Sequence, residues 1–131
     1  MQIIFEVHSN HNPIPYKRTT QKQKWTDREY KKYQIYKSLI IAEFVKETGK
    51  FPYQILSKNT KYHVGVLATY KDKRHGDTDN VAKGVNDAIF SKPLSDKFVA
   101  GSYDYQYGDQ AKLQITISDE INPAQDWREL A

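Results

Sequence analysis

The chain contains no cysteine, which excludes disulfides, thiolate zinc sites and a cysteine nucleophile, and is compatible with a reducing compartment. It also contains no apolar run near the roughly 18 residues that span a bilayer. Its opening, "MQIIFEVHSNH", has no basic stretch ahead of a short apolar one, so neither a secretory leader nor a membrane span is expected. A cytoplasmic protein without a membrane partner is the expectation. Glycine is scarce at 6 residues, and low-complexity stretches and internal repeats are missing. What is present suits a folded domain, since 38% of residues are apolar and 13% aromatic, far from a disordered composition. At 131 residues one core burying roughly two thirds of the unfolded surface is expected.

The net charge of +4 says little, but its distribution says more. Between Lys17 and Lys37 lie eight basic residues, Lys17, Arg18, Lys22, Lys24, Arg28, Lys31, Lys32 and Lys37, against Asp27 and Glu29, a local excess of six. Such a run is either a solvated loop and helix face or the footprint of a polyanion.

Periodicity sets out the elements. "IIFEV" (3–7) reads as a strand, and "SNHNPIP" (9–15) ends it with turn formers and prolines. From Thr26, a candidate N-cap with Glu29 three residues on, Tyr30, Tyr33, Tyr36, Ile40, Ile41 and Phe44 share one face of a helix over about 27–47, closed by Gly49. Lys37 falls inside that apolar arc, either snorkelling to its rim or facing a phosphate. "TKYHVGVLATY" (60–70) alternates as a half-buried strand. A helix starts near Asp79 or Asn80, with Val81, Val85, Ala88 and Ile89 on its apolar side. "FVAGSYDYQY" (98–107) and "KLQITIS" (112–118) read as two strands joined as a hairpin near Gly108 and Asp109. Asn122 and Pro123 open a short C-terminal helix or tail over 119–131. The sum is one α+β domain over 1–131, with a mixed sheet and three helices.

Carboxylates concentrate in "HGDTDNVAKGVNDAIF" (75–90). At helical spacing Asp79, Lys83 and Asp87 form a polar stripe, in which Asp87 and Lys83 make an i, i+4 ion pair. Asp77 and Asp79 are more than one cap requires, with Asn80 a third candidate for that position. If their oxygens converge to about 5 Å, the repulsion is on the order of 3 kcal/mol at an effective dielectric of about 20, which a cation would offset. Without thiolates, such a site suits a hard ion such as Mg²⁺. A lone D-x-D is by itself more often a turn plus a cap than a metal site.

The longer run, D-x-D-N-x-x-K-x-x-x-D-A-I followed by "LSDKFV" (94–99), resembles the RusA family of Holliday-junction resolvases, phage-encoded members included. "NPIPYKRTTQKQKW" (12–25) is similar to the proline-and-basic loop after the first strand of phage members, so the resemblance covers roughly residues 3–118. It implies Mg²⁺, or Mn²⁺, held by Asp77, Asp79 and Asp96, with Asp104 the alternative third ligand. Lys83 would contact the scissile phosphate or orient the attacking water. Asp87 and Ala88 match a structural step. The family's paired acid is here Ser95-Asp96, and Gln106 stands nearest to its strand lysine.

The implied activity is metal-dependent hydrolysis of phosphodiester bonds in four-way junctions and related branched DNA, by paired symmetric nicks, in recombination and repair. A two-fold symmetric substrate implies a homodimer, for which the strand bearing Tyr103, Tyr105 and Tyr107 is one candidate interface. The implied compartment is the cytoplasm of a bacterium or a phage-infected cell. Tyr16, Lys17, Arg18, Lys22, Lys24, Lys71, Lys73, Arg74 and His75 are the candidate DNA contacts, the cations neutralising backbone phosphates. Tyr16 and Trp25 either stack on bases at a branch point or, for Trp25, anchor the core. The rival reading is a non-catalytic DNA-binding protein whose acidic run only caps a helix. A haloacid-dehalogenase-type phosphatase is disfavoured, because "KDKRHG" (71–76) separates the D-x-D from the apolar strand.

Overall fold

A computed structural model describes residues 1–18 and 27–119. In chain order these form β1 (Gln2–His8), α1 (Arg28–Thr48), α2 (Pro52–Ile55), β2 (Tyr62–Tyr70), α3 (Thr78–Ile89), β3 (Val99–Tyr107) and β4 (Lys112–Ser118). The architecture is α+β, with a mixed four-stranded sheet and three helices. Lys22, Lys24, Trp25, the Thr26 cap and the C-terminal helix expected beyond Asp119 lie outside the described residues. Among the described residues the third helix is α2, a single turn with Pro52 at its first position. Among the described residues, no helix is long and apolar enough to cross a membrane.

The order across the sheet is β1-β4-β2-β3. β4 runs antiparallel to both β1 and β2, while β3 runs parallel to β2. The expected hairpin between β3 and β4 is therefore not formed. Leu113, Ile115 and Ile117 of β4 are each fully buried, so the hydrophobic effect draws that strand to the centre. β3 reads "VAGSYDYQY" and is exposed over most of its length, a composition suited to an edge. It returns to the sheet through α3, as a parallel crossover requires.

One face of the sheet carries the core. The register aligns Ile3, Phe5 and Val7 with Ile117, Ile115 and Leu113, and these with Val64, Val66 and Ala68. α1 lays Tyr33, Tyr36, Ile40 and Phe44 on this layer, with Phe44 meeting Phe5 edge-on at 5.8 Å between ring centres. Its cap is Asp27, whose carboxylate accepts from the amides of Glu29 and Tyr30, one residue after the expected Thr26. Gly49 ends it in the left-handed conformation that glycine adopts without cost. α3 buries Val81, Val85, Ala88 and Ile89 beside α1. It begins at Thr78, one to two residues before the expected start, and Asp77 occupies the cap position.

Candidate active site

The basic loop and the acidic helix are fastened together by specific contacts. Asn12, almost fully buried, donates its amide to the Asp72 carboxylate at 2.9 Å and the Arg74 carbonyl at 3.0 Å, and accepts from the Lys71 amide at 2.8 Å. Those bonds pin the turn after β2 against the loop after β1. Asp72 also accepts from the Arg74 amide and guanidinium, which hold its carboxyl below the usual range. Further on, the Tyr16 amide donates to the Asn80 carbonyl at 2.9 Å. The crossing is close, since a Cβ at Gly84 would lie 3.2 Å from the Tyr33 ring and 3.4 Å from the Tyr16 amide nitrogen, so that a larger residue there would require the ring to shift by a few tenths of an ångström. The loop residues Tyr16, Lys17 and Arg18 are thereby brought against α3 and α1.

Between α3 and β3 lies a cleft of about 240 Å³ with Val64 and Val66 among its lining. Asp79, Lys83 and Asn86 enter it from α3, Asp96 from the loop before β3, and Tyr103 from β3 itself. Residues apart in sequence, Asp79, Lys83 and Asp96, thus share one surface, and all three are exposed. Asp77 does not line this cleft. Its backbone carbonyl accepts the first amides of α3, but its carboxylate makes no cap bond. The Tyr70 phenol, pushed up chiefly by burial, also feels the Asp77 charge. Asp79 accepts from the adjacent Asn80 amide at 2.9 Å. Asp104 alternates with the cleft-lining Tyr103 and accepts from the Tyr105 amide, so it belongs to the opposite face of β3.

Among the described residues, no three carboxylate or imidazole side chains sit close enough together to hold a metal ion. The cleft nevertheless offers a donor set of one chemical kind. Besides the two carboxylates, Asn86 lines the same space, and its side-chain oxygen is buried without a hydrogen-bond partner. An all-oxygen set fits a hard divalent cation such as Mg²⁺ or Mn²⁺. Asn86 was not among the residues expected from sequence. The available signal was its spacing, two helical turns after Asp79 and so on the same side of α3.

Lys83 and Asp87 do not form the expected pair. Asp87 instead accepts from the Lys37 ammonium at 2.9 Å and from the Tyr33 hydroxyl. Burial raises the Asp87 pKa, but these bonds and the charges of Lys37 and Lys83 outweigh it, leaving the carboxyl below its ordinary value. Burial, and then the bond to Asp87, push the Tyr33 phenol upward. Lys37, expected either to snorkel to the rim or to face a phosphate, directs its ammonium to Asp87. Lys83 lies 4.4 Å from the centre of the Tyr16 ring, a cation–π geometry.

The remaining candidate contacts differ in their availability. Lys17 and Arg18 are exposed beside a polar hollow of about 220 Å³ shared with Tyr30, Tyr33 and Lys37. Lys71, Lys73 and Arg74 are exposed too, although the Lys71 ammonium donates to the Asn10 carbonyl. His75 has both ring nitrogens engaged, Nδ1 with the Gly76 carbonyl at 2.7 Å and Nε2 with the Tyr107 hydroxyl at 2.8 Å. The carbonyl can only accept, so Nδ1 carries hydrogen. No protein-family model matches the chain, and no curated protein matches it.

Proposed function

We propose that this chain is a divalent-cation-dependent endonuclease of the RusA kind, nicking four-way junctions and related branched DNA symmetrically as a homodimer. The observation that carries the reading is the shared cleft of Asp79, Lys83 and Asp96, with a basic loop fastened alongside. Asp79 and Asp96, with the exposed Asp77 nearby in sequence, would hold the cation, which would supply an activated water and offset charge growing on the phosphate.

The chain's own residues do the rest. Asp87 is already paired with Lys37, so the Lys83 ammonium is left for a non-bridging phosphate oxygen, and the Tyr16 ring lies beneath its charge. Lys17, Arg18, Lys71, Lys73 and Arg74 hold backbone phosphates on either side without reading bases. Two nicks on opposite strands call for two such sites related by a two-fold axis.

The non-catalytic alternative assigns the acids to capping, yet the Asp77 carboxylate makes no cap bond. The test is incubation of a synthetic four-way junction with and without Mg²⁺. Paired nicks that require the metal and vanish in Asp79→Asn are expected. Equal cleavage by that variant overturns the site, and junction binding indifferent to divalent ions, with no product at any concentration, favours the alternative.

A further inference from the structure

The edge strand β3 carries a feature that the proposed chemistry does not use. Tyr103, Tyr105 and Tyr107 alternate along it and share the core-side face, because the register sets them beside Val66, Ala68 and Tyr70. That face would ordinarily be covered. Here the rings remain 55%, 54% and 52% exposed, as much as surface residues, although α3 packs against part of the strand.

The rings are also anchored. Tyr105 and Tyr107 each lie 6.2 Å from the ring of Tyr70, which is fully buried. His75 stacks on Tyr70 at 3.6 Å and bonds the Tyr107 hydroxyl. Rings held by a buried support lose little freedom on binding a partner. Along a strand they repeat every 6.6 Å or so, about twice the rise between stacked bases.

Charge and position select the partner. Lys71, Lys73 and Arg74 leave β2 at the end where the Gly108 amide donates to the Tyr70 carbonyl, beside Tyr107. At the other end Tyr103 forms part of the wall of the Asp79–Asp96 cleft. We infer that Tyr103, Tyr105 and Tyr107 form a stacking platform for unpaired nucleotides, running from the basic turn to the cleft. The ligand is a polyanion with aromatic faces, which meets both the cations and the rings. A second copy of this chain, also net positive, meets the rings without complementing the charge. The inference rests on the nuclease reading for its class of partner, and adds which part of a branched DNA the protein grips: the nucleotides displaced from pairing at the branch.

The test measures binding in EDTA, where no cleavage intervenes. The probes are single-stranded oligothymidylate bearing one 2-aminopurine and a duplex of equal length. Tyr105→Leu should weaken strand binding about tenfold and abolish 2-aminopurine quenching, while duplex affinity stays within about twofold. Tyr105→Phe, which keeps the ring, should retain both. Should Tyr105→Leu fail to fold by circular dichroism, Tyr103→Leu, outside the Tyr70 cluster, makes the same measurement. An equal loss on both probes, no loss on either, or a drop in molecular mass by light scattering that accompanies the loss each overturns the platform. Junction binding with no preference for unpaired strand overturns this inference and leaves the nuclease reading standing. No binding to any DNA overturns both.

Discussion

Two acid–lysine sites involve α3 and have opposite fates, one joining its Asp87 to Lys37 of α1 and the other built on its own Asp79 and Lys83. At its C-terminal end Asp87 is hydrogen-bonded by Tyr33 and Lys37, and its pKa is lowered in consequence. Toward its N-terminal end Asp79 and Lys83 are exposed and open onto a cleft with Asp96. The residue types are the same, but one set is satisfied within the protein and the other has capacity left for a ligand. Satisfied charge specifies packing, whereas unsatisfied exposed charge is available for chemistry.

Substitutions should break that comparison at one end without disturbing the other. The largest effect is expected for Asp79→Asn, which should slow single-turnover junction cleavage about a thousandfold through loss of a metal ligand, with an unchanged urea midpoint. A loss of stability of similar weight would mean that Asp79 is structural. Next comes Lys83→Gln, for which a rate loss of about a hundredfold is expected with junction affinity little altered; an unchanged rate would return Lys83 to a purely structural role.

Asp87→Asn should behave oppositely, costing about 1.5 kcal/mol of stability near neutral pH once exposure is discounted. Its folded pKa lies below the ordinary 3.8, so the stabilisation is present above about pH 4 and is lost as pH falls through the folded value. Urea titrations should therefore show the gap between the two proteins closing in acid, and a gap that is constant with pH would refute the pairing. The smallest effect is expected for the double replacement Lys17→Ala with Arg18→Ala, which should flatten the plot of log affinity against log salt by about two units.

Most elements were legible because their signals are local. The alternation of Tyr62, Val64, Val66, Ala68 and Tyr70, all buried, marks β2 directly, as the spacing of Val81, Val85 and Ile89 marks α3. Pairing was less legible. The Gly108-Asp109 turn reads as a hairpin, yet β3 and β4 are separated by β2. Turn chemistry constrains a few residues, while burying Leu113, Ile115 and Ile117 involves the whole sheet and outweighs it. The site divides in the same way. Asp77, Asp79 and Lys83 stand out in a run of sequence, but the buried, unpartnered Asn86 oxygen and the diversion of Asp87 to Lys37 depend on contacts across the fold.

The sequence by itself determined the α+β composition, the helix and strand periods, the basic loop and the acidic run, since each rests on residues within a few positions of one another. Only the tertiary structure decided which strand lies at the edge, which acid is already partnered and which acids share a cleft. Those outcomes depend on competition for burial and for hydrogen-bond partners among residues far apart in the chain, a competition that is resolved only when the core closes.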